Sequence, residues 1–198
     1  MSVVKVDLYL CGVKGFAAAK FMLENHKSLI ANVTLAPDTG TVDDPIESMV
    51  KLFEQSNIRT TLSDPGRISE LAIAVGWKKL IEANYSQVIV IHDSLLPKYR
   101  GFNPLLTALI NGDTRIGATA LIATDEVDAG PIVAQEAKSI KYPMKLEEAM
   151  QIISSLIEKL LRRVCYQIEK SGKATGKAQN HKSASYSLWR DEDDFPID

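Results

Sequence analysis

Val3 to Leu10 is a run of apolar and β-branched residues broken by Lys5 and Asp7, and it ends at Cys11-Gly12. That pattern predicts a strand and a glycine turn, and the stretch from Lys14 to Asn25 that comes after has helical spacing. The motif then repeats. Leu29 to Ala36 reads as a strand, Pro37-Asp38-Thr39-Gly40 as a turn, and Pro45 opens a second helix in which Ile46, Met49, Val50 and Phe53 share a face. A short strand over Ile58 to Leu62 comes next. Leu71 to Val75 and Val88 to Ile91 are brief and uniformly apolar, as strands covered on both faces of a parallel sheet are. Strand and helix alternating in this way predict an α/β fold: an open, mostly parallel Rossmann-like sheet with right-handed crossovers and helices on both faces.

After His92 the texture changes to a polar segment containing Pro and Gly, Asp93 to Pro104, which runs into a short helix ended by Asn111-Gly112. A long loop inside a compact domain is usually functional. Ile116 to Ala123 and Pro131 to Lys138 predict two further strands, joined through Thr124 to Gly130. From Lys145 onward Leu146, Ala149, Ile153, Leu156, Leu160, Val164 and Ile168 step by three and four, which predicts one long amphipathic helix packed across the sheet. Lys170 to Asp198 is polar and weakly patterned, with an acidic cluster at Asp191 to Asp194 that reads as solvated. The expected organisation is one domain over residues 1–170 and a polar terminal segment or linker over 171–198, with no second domain.

Composition narrows the function classes. The 198 residues are 45% hydrophobic, enough for one core of ordinary size. Lys and Arg total 23 against 25 Asp and Glu, and a formal charge of -2 leaves no excess positive field for gripping phosphate backbones, so nucleic acid is not an expected partner. No apolar stretch reaches the ~20 residues a membrane span needs. The chain start runs straight into a strand rather than a signal peptide, so the expected location is the cytoplasm. Cys11 and Cys165 are too few for a disulfide framework and lack partners at metal-ligand spacing; they read as buried thiols, and no metal is expected.

Two glycine patterns fail on spacing. Gly12-Val-Lys-Gly15 lacks the full G-x-G-x-x-G of a dinucleotide turn, and Gly172 to Lys177 has three residues between its glycines where a phosphate loop needs four. His26 and His181 read as solvated surface residues. His92 is different: it ends a buried parallel strand, the place where ligands collect in open α/β sheets. Asp128 lies in a second loop at a strand end, and a carboxylate that orients an imidazole would let His92 accept a proton. A buried histidine can equally be a structural hydrogen-bonding group.

His92-Asp-Ser-Leu-Leu-Pro-Lys-Tyr-Arg-Gly101, followed by Asn111-Gly112, Gly117-Ala-Thr119 and Val127-Asp-Ala-Gly-Pro131, closely resembles the catalytic domain of the 10-formyltetrahydrofolate-dependent formyltransferases. The likeness runs from about Val3 to Lys170. The segment Ser185-Tyr-Ser-Leu-Trp189-Arg-Asp-Glu-Asp-Asp194, with Ile197-Asp198 after it, is similar to the connecting stretch of members that formylate amino sugars on nucleotide carriers. The resemblance implies transfer of a formyl group from N10 of the folate to a primary amine, without a metal, with His92 and Asp128 as the catalytic pair. It also implies that Trp77, Leu80, Ile81, Thr124, Val127 and Asp128 border the folate, and that Lys98, Tyr99, Arg100 and Gly101 meet the acceptor. Trp77 reads more readily as core than as a pocket wall, and Arg100 equally as a fork for an anion or a brace for its loop. Where the family usually carries Asn two residues before the catalytic His, this chain has Val90, and losing one such donor typically costs on the order of 10²–10³ in rate. The expected partners are a nucleotide-linked amino sugar and, as a further arrangement, a second copy of the chain. The alternatives left open are a binding protein that kept the fold and lost the chemistry, and formylation of methionyl-tRNA or glycinamide ribonucleotide.

Overall fold

The computed structural model describes residues 4–39, 43–63, 66–81 and 84–189. In chain order the elements are β1 (Val6–Cys11), α1 (Gly12–Asn25), β2 (Ile30–Ala36), α2 (Ile46–Gln55), β3 (Thr60–Thr61), β4 (Leu71–Val75) and β5 (Gln87–His92). They are succeeded by β6 (Arg100–Gly101), α3 (Pro104–Ile110), β7 (Arg115–Ile122), β8 (Ile132–Ser139), α4 (Leu146–Ser171) and β9 (Tyr186–Ser187). Seven strands form one sheet in the order β3-β2-β1-β4-β5-β7-β8, parallel from β3 to β5 and antiparallel at β5–β7 and β7–β8. β6 and β9 pair separately, parallel to each other.

The sheet matches the expected mostly parallel Rossmann-like class, but its helices gather on one face. Val6, Leu8 and Leu10 of β1, Ile73 of β4 and Ile89 of β5 pack in one cluster with the buried residues of all four helices. The alternate positions, Tyr9, Ala72, Ala74, Val88 and Val90, form a second cluster whose cover is Trp77, Ile81 and Tyr85 from the connection after β4. Right-handed crossovers explain this division. Leaving β1 for β2 and β2 for β3 the chain moves in one direction, so α1 and α2 fall on the same side. The return to β4 and the step to β5 move the other way and belong on the opposite face, where the described residues of both connections form no helix. Gly76 makes the exit from β4 tight: φ is +66° and a Cβ there would run into the Cys11 carbonyl.

α4 closes the helical face. Its buried stripe, from Ala149 through Ile153, Leu156, Leu160 and Val164 to Ile168, packs on α1, β7 and β8. It ends at Gly172, whose φ of +75° and N–H bond to the Ile168 carbonyl form a left-handed cap. The polar, weakly patterned segment beyond this point docks on the domain. Ala174 exchanges two hydrogen bonds with the Gln87 side chain, Lys177 bridges to Ile132, and β9 pairs with β6, so residues 174–187 turn back over the domain. The acidic cluster at Asp191 to Asp194 and the Ile197-Asp198 pair lie outside the described residues. Among the described residues no helix is long and apolar enough to cross a membrane.

Candidate active site

His92 is the last residue of β5, 7% exposed, and it stands opposite Thr119 of β7 on the face that carries no helix among the described residues. Its Nε2 lies 2.8 Å from the backbone carbonyl of Tyr99, an acceptor only, so this nitrogen carries a proton and donates. Nδ1 lies 3.4 Å from Oδ2 of Asp128. A neutral ring thus keeps its lone pair on Nδ1, and any proton taken up there faces the carboxylate. The sequence-predicted pair is brought together.

Asp128 sits in the left-handed region at φ +53°, which costs a non-glycine residue on the order of 1 kcal/mol. Three bonds hold this conformation and its carboxylate. The Gly101 N–H donates to Oδ2 at 2.9 Å, and the Gln179 side-chain amide donates to the carbonyls of Asp128 and Gly130 at 2.7 and 2.8 Å. Gly130 is required where it stands, because a Cβ would collide with the Ile122 carbonyl.

The loop from Asp93 to Pro104 is pinned on both sides. Thr119 donates to the Ser94 carbonyl at 2.7 Å, Gln135 donates to the Leu96 carbonyl at 2.8 Å, and Ser94 donates to the Lys98 carbonyl at 2.6 Å. From the tail, Ser185 Oγ accepts from the Tyr99 N–H and the Ser185 carbonyl from the Arg100 N–H, at 3.0 and 2.8 Å. Arg100 is 1% exposed. Its guanidinium donates to Gln179 Oε1 from Nε and Nη2 at 3.3 and 2.9 Å, and to Glu126 at 3.2 Å. The guanidinium is thus held by side chains of the tail and of the loop at 124–130. Lys98 is exposed, 3.9 Å from Asp113, and the Tyr99 hydroxyl donates to the same carboxylate at 3.1 Å. Tyr99 and Gly101 reach His92 and Asp128 through backbone groups.

The residues expected on the folate side divide into two groups. Trp77, Ile81 and Val90 share the apolar cluster, with Trp77 edge-on to Tyr9 at 5.1 Å. The Trp77 indole N–H is buried and has no hydrogen-bond partner among the described residues. Val90 lies on the same strand face as His92 and presents only methyl groups. Leu80, 85% exposed, points to solvent, and Thr124 and Val127 are exposed on the loop that carries Asp128.

Asp93 turns the other way, toward α1, and pairs with Lys14 at 3.0 Å. Burial raises its pKa, but the charges of Lys14 and His92 outweigh that and hold the carboxyl below its usual range. Asp93 opens a cavity of about 330 Å³ whose polar lining includes Ser94, Lys98, Tyr99, Asp113 and Arg115. Sequence reasoning missed Gln179 and Glu126, for which no motif or periodicity gave a signal, and reached Ser185 only as the first residue of the Ser185–Asp194 resemblance.

The formyl transferase family model matches residues 67–165. A methionyl-tRNA formyltransferase from Thermotoga maritima is 33% identical over 108 residues, 54% of this chain and 34% of that protein. Its counterpart from a Hydrogenobaculum species is 26% identical over 201 residues, 91% of this chain and 65% of that protein. The chain therefore spans between about a third and just under two thirds of these curated relatives. A crystal structure of an N-formyltransferase from Helicobacter canadensis with folinic acid and dTDP-3-aminofucose superposes with a TM-score of 0.73, covering 98% of this chain and 72% of that one. The identity is 17%, and the likeness is one of fold.

Proposed function

The chain belongs to the formyl transferase family, and from that premise we propose that it transfers the formyl group of 10-formyltetrahydrofolate to the primary amine of a nucleotide-linked amino sugar, in the cytoplasm. The observation that carries this reading is the His92–Asp128 pair at the carboxyl end of β5. In such a transfer a neutral amine attacks the formyl carbon, charge develops on the formyl oxygen, and the new C–N bond forms as the bond to N10 breaks. His92 Nδ1 takes the proton the amine loses, Asp128 balances the imidazolium, and the proton ends on N10. The Nε2–H stays on the Tyr99 carbonyl throughout and fixes the ring.

The amino-sugar acceptor is supported by the surface of the loop at 93–104, where the exposed Lys98 suits a phosphate. Phe102 and Trp189 meet edge-to-face at 5.4 Å, each about half exposed, and give an aromatic surface for a base. The Helicobacter canadensis neighbour, bound to folinic acid and dTDP-3-aminofucose, points the same way. A second reading, transfer to methionyl-tRNA, is favoured by the activity named for the curated relatives. The net charge of -2 argues against it.

The test offers 10-formyltetrahydrofolate with dTDP-linked 3- and 4-aminosugars in one arm and charged initiator tRNA in the other. Formylated sugar supports the reading and formylated tRNA replaces it. No turnover with either, by the native chain or by Val90→Asn, sinks both in favour of a binding protein.

A further inference from the structure

We propose that Gln179 is a positioning residue for the His92–Asp128 pair, so that the segment after α4 is a built part of the active site. This rests on the reading of that pair as the reacting groups.

Gln179 is 7% exposed, and its side-chain hydrogen bonds are spent on two loops. Its oxygen accepts twice from Arg100, at the root of the loop whose Tyr99 carbonyl and Gly101 N–H hold His92 and Asp128. Its nitrogen donates to the carbonyls of Asp128 and Gly130. Only a carboxamide accepts from a guanidinium on one side and donates to two carbonyls on the other. A residue that merely filled space would not need that chemistry.

The placement arises from the backbone. Asp128 holds an uncommon left-handed conformation, and the direction of its carboxylate depends on that conformation persisting. Gln179 grips the carbonyl of the same residue whose carboxylate the Gly101 N–H grips. The amide is itself anchored from both sides: upstream by the Ala174–Gln87 bonds and the Lys177–Ile132 bridge, downstream by the pairing of β9 with β6. The loops at 93–104 and 124–130 therefore lean on the tail, and the separation of His92 from Asp128 is set through residue 179.

The experiment compares Gln179→Ala and Gln179→Glu with the native chain in formyl transfer from 10-formyltetrahydrofolate to the dTDP-linked aminosugar, with His92→Asn as control. The nitrogen resonances of the His92 ring are read separately, without substrates. Gln179→Glu keeps the Arg100 contact and loses the donors to residues 128 and 130. Both variants are expected to lower kcat by about 10- to 100-fold, with KM for the folate changed less than about threefold, because misplacement of a reacting group acts on the chemical step. The ring resonances are expected to move in both, and in Gln179→Glu they do so with the thermal midpoint near native. Native ring resonances in both variants overturn the proposal, as does a kcat within twofold of native or a loss that disappears on correction for folded protein. If His92→Asn itself retains the native rate, the underlying assignment of the pair fails instead.

Discussion

Val90→Asn sets a donor beside His92 at a known cost. Val90 lies between Ala74 of β4 and Leu121 of β7 and packs in the half-buried group with Trp77 and Ile81. Exchanging its two methyls for a carboxamide loses about 1 kcal/mol of apolar burial, taken as half the value for a fully buried Val. The wall offers the amide few partners, and an unsatisfied buried amide costs about 1–3 kcal/mol. The unliganded variant should therefore be less stable by about 2–4 kcal/mol, which lowers the thermal midpoint by ~2–4 °C per kcal/mol in a domain of this size. Against this, a donor aimed at the developing oxyanion is worth on the order of 10²–10³ in kcat. Stopped-time assays of formyl transfer, with thermal unfolding measured with and without 5-formyltetrahydrofolate, read both terms. The expected outcome is a kcat raised at least about tenfold and a stability deficit that shrinks when the folate is bound. A folded variant whose kcat stays within twofold of native refutes the view that position 90 faces the reacting oxygen.

Asp128→Asn keeps an oxygen for the Gly101 N–H, so stability should hold within about 1 kcal/mol, while kcat falls by about 10²–10⁴ as the imidazolium loses its counter-charge; steady-state rates beside urea unfolding check both. Arg100→Ala strands the Gln179 oxygen and removes a buried stem, and should cost about 2–4 kcal/mol by urea unfolding. Burial pushes the Cys11 thiol up to about 11, with Asp38 adding to it, and the Cys165 thiol up to about 12, from 9.0 in both cases. Because the folded values exceed the unfolded one, the stability these thiols contribute is complete below about pH 9 and is lost as pH rises through the folded values. Thermal midpoints should fall over that window, and native protein at pH ~8 should alkylate slowly at both cysteines.

Local patterns encode some of these elements and not others. β4 agrees with its predicted span to the residue, and α1, α2 and α4 agree to within about two at the ends, because long apolar periods and uniformly buried runs are local signals. The strand expected over Ile58 to Leu62 contracts to Thr60–Thr61, although its partner β2 runs on past the pairing in both directions. β6 and β9 were invisible: two residues each have no period, and their register joins Arg100 to Tyr186, 86 residues further along the chain. His92 and Asp128 were legible through position and resemblance. The support for them was not, because it is made by backbone groups and by Gln179, whose polar surroundings look in sequence like any solvated tail.

The one-sided helices and the built tail have a common cause. The connection after β4 supplies Trp77, Ile81 and Tyr85 in place of a helix as the cover of the face where His92 points. Such a cover lacks the packed helical layer that would hold side chains still. Here that stiffness comes from saturated hydrogen bonds among three irregular segments, with Arg100 and Gln179 at their crossing. Such bonds contribute little net stability each but fix direction well. Most of the stability and the placement of His92 and Asp128 therefore reside in different parts of the chain, with buried Arg100 serving both: the stripe of α4 and the strands it covers carry the first, and the loops at 93–104 and 124–130 with the tail at 174–187 carry the second. Truncating a core residue such as Ile157, on the buried face of α4, should cost stability with kcat preserved, whereas changes along the tail should do the reverse.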